Sequence, residues 1–534
     1  MERAQLGQWF TPPDVADLAI SLALDGAPPG RVADPTCGDG VFLERALRAG
    51  VRASRLVGID IDPAAADAAR ARVQGADVRC GDLFDLDPDI ELAAIVGNPP
   101  YVRQERMSGE QKQRTRDRLA ADWPELPAAD LDQLIGRGDL AVACIARCLR
   151  LVRPGGQVAL VVSSALLDAD YARPLWRLVS REATVLALVE APTERWFADA
   201  AVNSMILVLR RGARPGHVAV ARLSVPTAEA SARVTRLRDL SAVADVRPGR
   251  RGDAARWATL LRADGAWFEV EQRAPLVPLS DVAVVRRGIT SGANEAFYLT
   301  RPRAAELEIE PSVLLPLVRS PREQGASTIA IDPDATEHVA IVCDDLSTVP
   351  RARRYFGDRA EVASRPTLRA RHPWWSLPAN PARLFLTKAY AGRFIQRFSP
   401  RDVVADQRVY SVHPKPGVDI EALAAVLNST YTAFALESLG RASLGEGALE
   451  WTVAGAQHLP ILDPRGAGRD AVNALRAMLT RPIGPVAAEA GQPDRLALDT
   501  SVAPRLARGL PEIHRALSDS CARRATRSEV SRQL

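Results

Sequence analysis

The chain has 534 residues, of which 47% are hydrophobic and 25% are charged, with a formal net charge of +4. This length allows two or three domains with cores of their own. Neither an apolar run of the roughly 18 residues that span a bilayer nor a signal-peptide pattern is found. Six scattered cysteines favour a reduced compartment, so we expect a cytoplasmic protein with no membrane partner.

The first 210 residues alternate between predicted strands and predicted helices. Strands that alternate with helices build a parallel sheet covered on both faces, which predicts an α/β fold. A polar, charged stretch at 103–137 interrupts the alternation, and we interpret it as a helical or mobile insertion beside a site. The predicted strands are 31–35, 55–62, 77–85, 92–98 and 157–167, and the predicted helices are 14–24, 41–50, 63–73 and 140–152.

The character of the chain changes after Arg211. Short apolar runs separated by Pro, Gly and Asp follow to about residue 465, and an Ala- and Arg-rich stretch follows them. We therefore predict three parts: a catalytic domain at 1–240, a mixed α/β domain at 241–465, and a helical tail at 466–534.

Three Gly- and Asp-rich loops follow predicted strands, and ligands of open α/β sheets bind at the carboxyl ends of the strands. The loops are "DPTCGDG" at 34–40, "GIDID" at 58–62 and "GDLFD" at 81–85. Their carboxylates can accept hydrogen bonds from a ribose and a base amine. The first loop lacks a third glycine at dinucleotide spacing and a phosphate-binding Lys-Ser/Thr pair. This combination favours S-adenosylmethionine over a dinucleotide.

The fourth predicted strand ends in "NPPY" at 98–101. The two prolines restrict the backbone and give a rigid loop with carbonyls in defined directions. The side-chain oxygen of Asn98 and the carbonyl of Pro99 can then accept both N–H bonds of one aromatic amine. Tyr101 offers a flat face for a base taken out of its stack.

With these motifs, residues 1–211 resemble the gamma type of N6-adenine DNA methyltransferases. The segments "GQWFTPPDVADLAI" (7–20), "VALVVSSALL" (158–167) and "ERWFADAAVNSMILVLRR" (194–211) also resemble family motifs. The resemblance implies a Rossmann-like, seven-stranded methyltransferase sheet. The later segments 277–299 and 423–461 resemble the opening and the close of the family's target-recognition domain, which binds DNA.

The resemblance also implies roles for individual residues. The residues implied to hold S-adenosylmethionine are Thr11, Asp34, Thr36 and Gly38 at its methionine end, Asp60 at its ribose, Ile61, Asp82 and Leu83 at its adenine, and Pro100. The residues implied to act on the target are Asn98 and Pro99 at the amine, Pro100 beside the methyl group, and Tyr101 and Phe197 around the flipped base, with Trp196 as the rival of Phe197. No metal ligand is implied.

The implied reaction is direct methyl transfer to N6 of an adenine flipped out of duplex DNA, in a restriction-modification or phage-defence system. A restriction nuclease or other defence subunits are the implied protein partners. In the recognition domain, "RRGITSGANEAF" (286–297) is expected to cross the DNA backbone, with Gly288 and Gly292 allowing close approach.

Other reactions use similar loops. N4-cytosine methylation uses the same amine chemistry, usually with Ser in the place of Asn98. RNA methyltransferases and protein glutamine methyltransferases also carry NPPY loops, usually on shorter chains. A non-catalytic DNA-binding subunit would have eroded motifs, whereas these are intact. Cytosine-C5 methylation needs a cysteine nucleophile in the fourth-strand loop, and that loop has none.

Overall fold

The computed structural model describes residues 10–101, 107–136, 139–192, 194–197, 203–212, 214, 216–320, 323, 325, 327–441 and 448–533. The chain divides into two compact units. The N-terminal unit comprises Met1–Arg262 with Thr526–Leu534, and the C-terminal unit comprises Ala263–Ala525. In the described part of the chain, every helix is too short or too polar to cross a membrane.

The described strands of the N-terminal unit form one sheet in the order β3-β2-β1-β4-β5-β7-β6-β8-β9. Neighbours from β3 to β5 are parallel, whereas β7 is antiparallel to both β5 and β6. The strands are β1 Val32–Asp34, β2 Leu56–Asp60, β3 Asp77–Cys80, β4 Leu92–Gly97, β5 Val152–Ser163, β6 Ala183–Glu190, β7 Ser204–Arg211, β8 Val218–Leu223 and β9 Ala244–Gly249.

This sheet confirms the predicted Rossmann-like fold and carries two strands beyond the predicted seven. Every residue of β1, β2 and β4 is buried, as expected for strands covered on both faces. Strand β8 lies parallel to β6 and β9 is antiparallel to β8, so the sheet continues past the turn that follows Arg211. That turn breaks the strand–helix alternation, which is why the sequence suggested an earlier end to the sheet.

The predicted helices are present, and the interruption at 103–137 contains two more. The predicted strand 77–85 ends at Cys80 and is followed by a 3-10 turn at Leu83–Asp85. The helices of this unit are α1 Pro13–Leu24, α2 Val41–Arg48, α3 Pro63–Arg72, α4 Gly109–Asp122, α5 Ala128–Gly136, α6 Leu140–Leu151, α7 Arg173–Glu182, α8 Thr227–Arg233 and α9 Ala254–Arg262.

The strand order reverses between β1 and β4, and this reversal positions the site. From β1 the chain runs outward through β2 and β3, and it then returns to the other side of β1 as β4. Crevices for ligands open at such points, beyond the carboxyl ends of the strands. Asp34 ends β1 and Gly97 ends β4, so the glycine loop and Asn98 leave neighbouring strands at the same edge.

In the C-terminal unit, the main sheet among the described residues has the order β11-β18-β15-β17-β13-β14-β12, with β10-β20 and β16-β19 as separate pairs. The strands are β10 Leu276–Pro278, β11 Ala283–Arg287, β12 Tyr298–Thr300, β13 Leu314–Val318, β14 His338–Ile341, β15 Ala382–Thr387, β16 Ala389–Tyr390, β17 Arg397–Ala405, β18 Val409–Pro414, β19 Leu449–Glu450 and β20 Pro460–Leu462.

The helices after residue 465 belong to the core of this unit. Leu475, Leu498 and Leu517 are buried in the same cluster as Leu423 and Phe434. The helices are α10 Gly265–Arg273, α11 Leu279–Val282, α12 Asn294–Phe297, α13 Arg301–Glu306, α14 Pro350–Gly357, α15 Pro366–Arg369, α16 Ile420–Leu427, α17 Thr430–Leu439, α18 Val453–Gln457, α19 Arg469–Met478, α20 Val486–Glu489, α21 Pro493–Val502 and α22 Leu510–Gln533, which belongs to this unit as far as Ala525. The unit boundary at 262/263 therefore differs from the predicted boundaries at 240/241 and 465/466.

Candidate active site

A cavity of about 580 Å³ lies in the N-terminal unit at the carboxyl edge of the sheet. All nine residues predicted to hold the cofactor line it, and so does Asn98. Pro99, Tyr101 and Phe197, which were predicted to act on the target, are not among its lining residues. The cavity thus collects residues from the ends of four different strands, and their individual roles remain predictions.

The glycine loop is held to the end of β2 by backbone hydrogen bonds. The Gly38 N–H donates to Asp60 Oδ2 at 2.8 Å, and the Cys37 N–H donates to the Ile59 carbonyl at 2.8 Å. Gly38 has φ +51°, a conformation that favours glycine, and a Cβ there would point into open space. The loop therefore presents bare backbone to the cavity, as close approach by a ligand requires.

Two buried carboxylates face this cavity. Asp34 is 1% exposed and Asp60 is 7% exposed. Burial raises the pKa of Asp34 well above its usual value and raises the pKa of Asp60 as well. Their partners are backbone N–H groups, namely Thr36 N at 3.2 Å from Asp34 Oδ1 and Asp62 N at 2.9 Å from Asp60 Oδ1. In their ionised form, these carboxylates would attract a positively charged ligand.

Exposed apolar side chains and a third carboxylate also line the cavity. Ile61 is 59% exposed and Phe10 is 57% exposed, unusually high values for large apolar side chains that line a cavity. Asp82 Oδ1 accepts from the Phe84 N–H at 3.0 Å. Exposed apolar faces and a carboxylate in one cavity suit a flat heterocycle that carries an amine.

The NPPY loop is connected to the glycine loop across the crevice. The Thr36 hydroxyl lies 3.5 Å from the Asn98 carbonyl oxygen, to which it donates. Asn98 and Pro100 both line the cavity. Tyr101 is turned toward β5, where its hydroxyl donates to the Val161 carbonyl at 3.1 Å, and burial raises the pKa of this phenol.

The aromatic pair after β6 lies in the core of the unit. Phe197 is 5% exposed and Trp196 is 8% exposed. The Trp196 ring N–H donates to the Thr227 hydroxyl at 2.8 Å, which fixes that side chain against the start of α8. This bond favours Phe197 over Trp196 as the ring able to turn toward a base, and its contact with a base remains a prediction.

Several lining residues were missed by sequence reasoning. Helix α4 contributes Gln111, Arg114 and Thr115 to the wall of the cavity, and α6 contributes Leu140 and Cys144. The polar insertion was predicted to lie beside the site, but no motif marked its individual residues. Gly97 is not among the lining residues, but its backbone lies against the lining residue Asp34, and sequence reasoning missed it although it directly precedes NPPY.

One group of described side chains outside this cavity has the composition of a metal site. Glu323, Glu337 and His338 have ligand atoms within 4.8 Å of one another in the C-terminal unit. The Arg319 Nη1 atom lies 2.9 Å from His338 Nε2 and places a positive charge beside the group. This charge opposes a cation, so we assign no metal there.

Gly288 was expected to allow close approach to DNA, and contacts within the C-terminal unit also explain why this position is a glycine. A Cβ at Gly288 would lie 2.2 Å from the Asp406 carbonyl oxygen and 2.6 Å from that of Ala405. At Gly292, with φ +77°, a Cβ would lie 2.8 Å from Thr367 Cβ. Both glycines are therefore required by contacts inside the protein.

Trp374 packs edge-on against Phe356, with ring centroids 5.5 Å apart, and so contributes to the core.

Two protein families match separate parts of this chain. Residues 1–246 match the family described as N-6 DNA Methylase, and residues 265–482 match the family described as Type II methyltransferase M.Eco57I, C-terminal domain.

Individual relatives agree with these matches. The Type II methyltransferase M.XamI of Xanthomonas campestris pv. amaranthicola is 29% identical over 305 residues, which cover 54% of this chain and 52% of that protein. M.CvrRI of Paramecium bursaria Chlorella virus XZ-6E is 26% identical over 218 residues, which cover 41% of this chain and 51% of that protein. The chain thus spans about half the length of these two relatives.

A solved structure shows a similar fold. The Type IIL restriction-modification enzyme MmeI, in complex with DNA, superposes with a TM-score of 0.54 at 14% identity, covering 96% of this chain and 73% of that chain. At this identity the likeness concerns the fold alone.

Proposed function

We propose that this chain, whose residues 1–246 match the N-6 DNA methylase family and whose residues 265–482 match the M.Eco57I C-terminal domain family, methylates N6 of adenine in duplex DNA. S-adenosylmethionine is the methyl donor. The C-terminal unit binds the DNA, and the adenine is flipped into the N-terminal unit. The biological setting is a Type II restriction-modification system, in which a restriction nuclease or other defence subunits are the partners.

One observation carries the proposal. The glycine loop, both buried carboxylates and Asn98 surround the same cavity, at the point where the strand order reverses. The cavity fits the donor, because its buried carboxylates attract a cation when they are ionised and its exposed Ile61 and Phe10 suit an adenine ring. When bound there, S-adenosylmethionine supplies a methyl group on a positively charged sulfur.

The chain then positions and stabilises the amine. Asn98 and Pro99 offer oxygen atoms to the two N–H bonds of N6, which holds the amine and directs its lone pair into the cavity. Positive charge develops on this nitrogen during transfer, and the same oxygens stabilise it. The hydrogen bond between the Thr36 hydroxyl and the Asn98 carbonyl holds the glycine loop and the NPPY loop in a fixed position relative to each other. Tyr101 and Phe197 hold the flipped base.

The test uses the full chain with methyl-labelled S-adenosylmethionine and duplex DNA of varied sequence. Digestion to nucleosides followed by mass spectrometry should show N6-methyladenine. Asn98→Ala should abolish transfer and keep S-adenosylmethionine affinity within about twofold, because Asn98 serves the target amine and not the donor. Asn473→Ala, at an exposed position in α19, is the matched control and should keep full activity.

Other outcomes would overturn the proposal. N4-methylcytosine as the product would replace adenine as the target, and label on RNA or protein alone would remove DNA as the substrate. Simultaneous loss of transfer and donor binding in Asn98→Ala would contradict the role given to Asn98.

A further inference from the structure

Helix α4, in the polar insertion at 103–137, forms one wall of the cavity, and the 3-10 turn Leu83–Asp85 lines it with Leu83. Three arginines, Arg114, Arg118 and Arg147, join the helix to this turn or to Leu86 directly after it. These contacts lie entirely in the N-terminal unit and are not part of any motif in the sequence analysis.

Arg114, which lines the cavity, contacts two carboxylates at and beside the turn. One of its terminal nitrogens, Nη2, lies 2.9 Å from both carboxylate oxygens of Asp85 and 3.4 Å from Asp82 Oδ2. Asp82 is the residue predicted to accept from the adenine amine. Arg114 therefore lies beside the carboxylate that is predicted to bind the ligand. Asp85 lies outside the cavity lining and is well exposed.

Arg147 makes the contact beneath the cavity. It projects from α6, is fully buried, and donates from Nη1 to both oxygens of Asp122, the last residue of α4, at 2.8 and 2.9 Å. Its Nε lies 3.4 Å from the Leu83 carbonyl oxygen, and its Nη2 donates to the Leu86 carbonyl. One side chain therefore bonds both ends of the turn and the end of the helix.

Arg118 completes the connection on the outer side. It projects from α4 and donates from Nη2 to the Leu86 carbonyl at 3.1 Å, the same oxygen that Arg147 uses. Arg118 and Arg147 thus share one acceptor, the carbonyl of the residue directly after the turn.

We propose that Arg147 and Arg114 are positioning residues for S-adenosylmethionine, because they fix α4 and the Leu83–Asp85 turn as two walls of its adenine end. The inference rests on the proposed use of this donor. A buried ion pair is poor evidence of net stability, since desolvation offsets most of its attraction. Here, however, Arg147 bonds the carbonyl of Leu83, which lines the cavity. It also bonds Asp122, the last residue of α4, the helix whose Gln111 and Thr115 line the cavity.

Two variants test this inference. Asp85→Asn removes the charge that holds Arg114 and changes an exposed residue outside the cavity. Arg147→Lys keeps a buried cation that can reach Asp122 but loses the fork that bonds both carbonyls. Arg116→Met is the matched control, because Arg116 lies on the same helix and pairs with Asp132, away from the cavity.

We expect the KM and the Kd for S-adenosylmethionine to rise about tenfold in Arg147→Lys and about threefold in Asp85→Asn. The kcat at saturating donor and the KM for DNA should stay within about twofold of the wild type, because the target loop is unchanged. Arg116→Met should change none of these values.

A purely structural role would give a different pattern. It would lower the melting temperature and the active fraction, and so the apparent kcat, with an unchanged KM for the donor. That pattern in Arg147→Lys, or an unchanged donor Kd in Asp85→Asn, would overturn the inference. If the wild type itself fails to bind S-adenosylmethionine, the proposed function fails first, and the two failures are thereby distinguished.

Discussion

The carboxylate of Asp34 lies directly against the backbone of Gly97. A Cβ at residue 97 would come within 2.6 Å of Asp34 Oδ1, closer than any stable contact allows. The Asp34 carboxylate cannot swing away freely, because Oδ1 also accepts from the Thr36 N–H. The position of the Asp34 carboxylate at the end of β1 therefore depends on the absence of a side chain at residue 97, the end of β4.

Gly97→Ala should accordingly displace Asp34 and disturb the glycine loop. We expect a loss of about 1–3 kcal/mol in the free energy of unfolding from overpacking. The affinity for S-adenosylmethionine should fall about tenfold or more, measured by isothermal titration calorimetry. Gly136→Ala is the control, because a Cβ there meets nothing within 4 Å. Wild-type donor affinity in Gly97→Ala would show that Asp34 does not face the donor.

Asp34→Asn should stabilise the protein without ligand and weaken donor binding. Burial raises the pKa of Asp34 in the folded state above its usual 3.8, so the folded state holds the proton more tightly than the unfolded state. The wild type therefore loses stability as the pH rises from about 3.8 through the raised pKa. Below that range the carboxyl is protonated in both states and has no such effect.

Asp34→Asn lacks this carboxyl and so avoids the loss. Its free energy of unfolding should equal that of the wild type at the acidic end and should exceed it by a margin that grows with pH to about 0.5–2 kcal/mol. Chemical denaturation of both proteins at a series of pH values measures the difference. An excess that shrinks as the pH rises would contradict the assigned direction. In the same preparation, the affinity for S-adenosylmethionine should fall, because a buried negative charge opposite its cation is lost.

Tyr101→Phe should be milder than Tyr101→Ala. The phenol donates to the Val161 carbonyl, so its removal costs about 0.5–1.5 kcal/mol of stability but keeps the ring. Tyr101→Ala also removes the face on which the base is predicted to stack, a loss of about 1–3 kcal/mol in binding the flipped base. Fluorescence of 2-aminopurine at the target position, with kcat, compares the two. Equal defects would indicate that the hydroxyl, and not the ring, is what matters.

Gly288→Ala tests the internal explanation for this glycine. The Cβ would meet the carbonyl oxygens of Ala405 and Asp406, and the Ile289 N–H bonds the Ala405 carbonyl at 2.7 Å, so this backbone cannot yield easily. We expect a loss of about 1–3 kcal/mol of stability, detected as a lower melting temperature.

Gly357→Ala is the control for this prediction, because a Cβ there meets nothing within 4 Å. A variant of Gly288 with normal stability and selectively weakened DNA binding would restore the original expectation that this glycine approaches DNA.

The sequence by itself determined the fold class and most of the cavity. Buried strands of Val, Ile and Ala that alternate with helices specify a parallel sheet, because only helices on both faces can cover such strands. The carboxyl ends of parallel strands share one edge, so the loops after β1, β2, β3 and β4 had to lie near one another. This is why Asp34, Asp60, Asp82 and Asn98 could be grouped before any coordinates were considered.

Tertiary structure alone decided which strands are neighbours and what closes the site. Local patterns do not encode strand order, so the contact of Gly97 with Asp34 and the addition of β8 and β9 were not predictable. Helix α4 is polar along its length, and Arg147 interrupts an apolar helix, so neither showed a recognisable pattern. Their bonds join residues 25 to 64 positions apart. Hydrogen bonds need partners within about 3 Å at suitable angles, and only the folded chain brings them together.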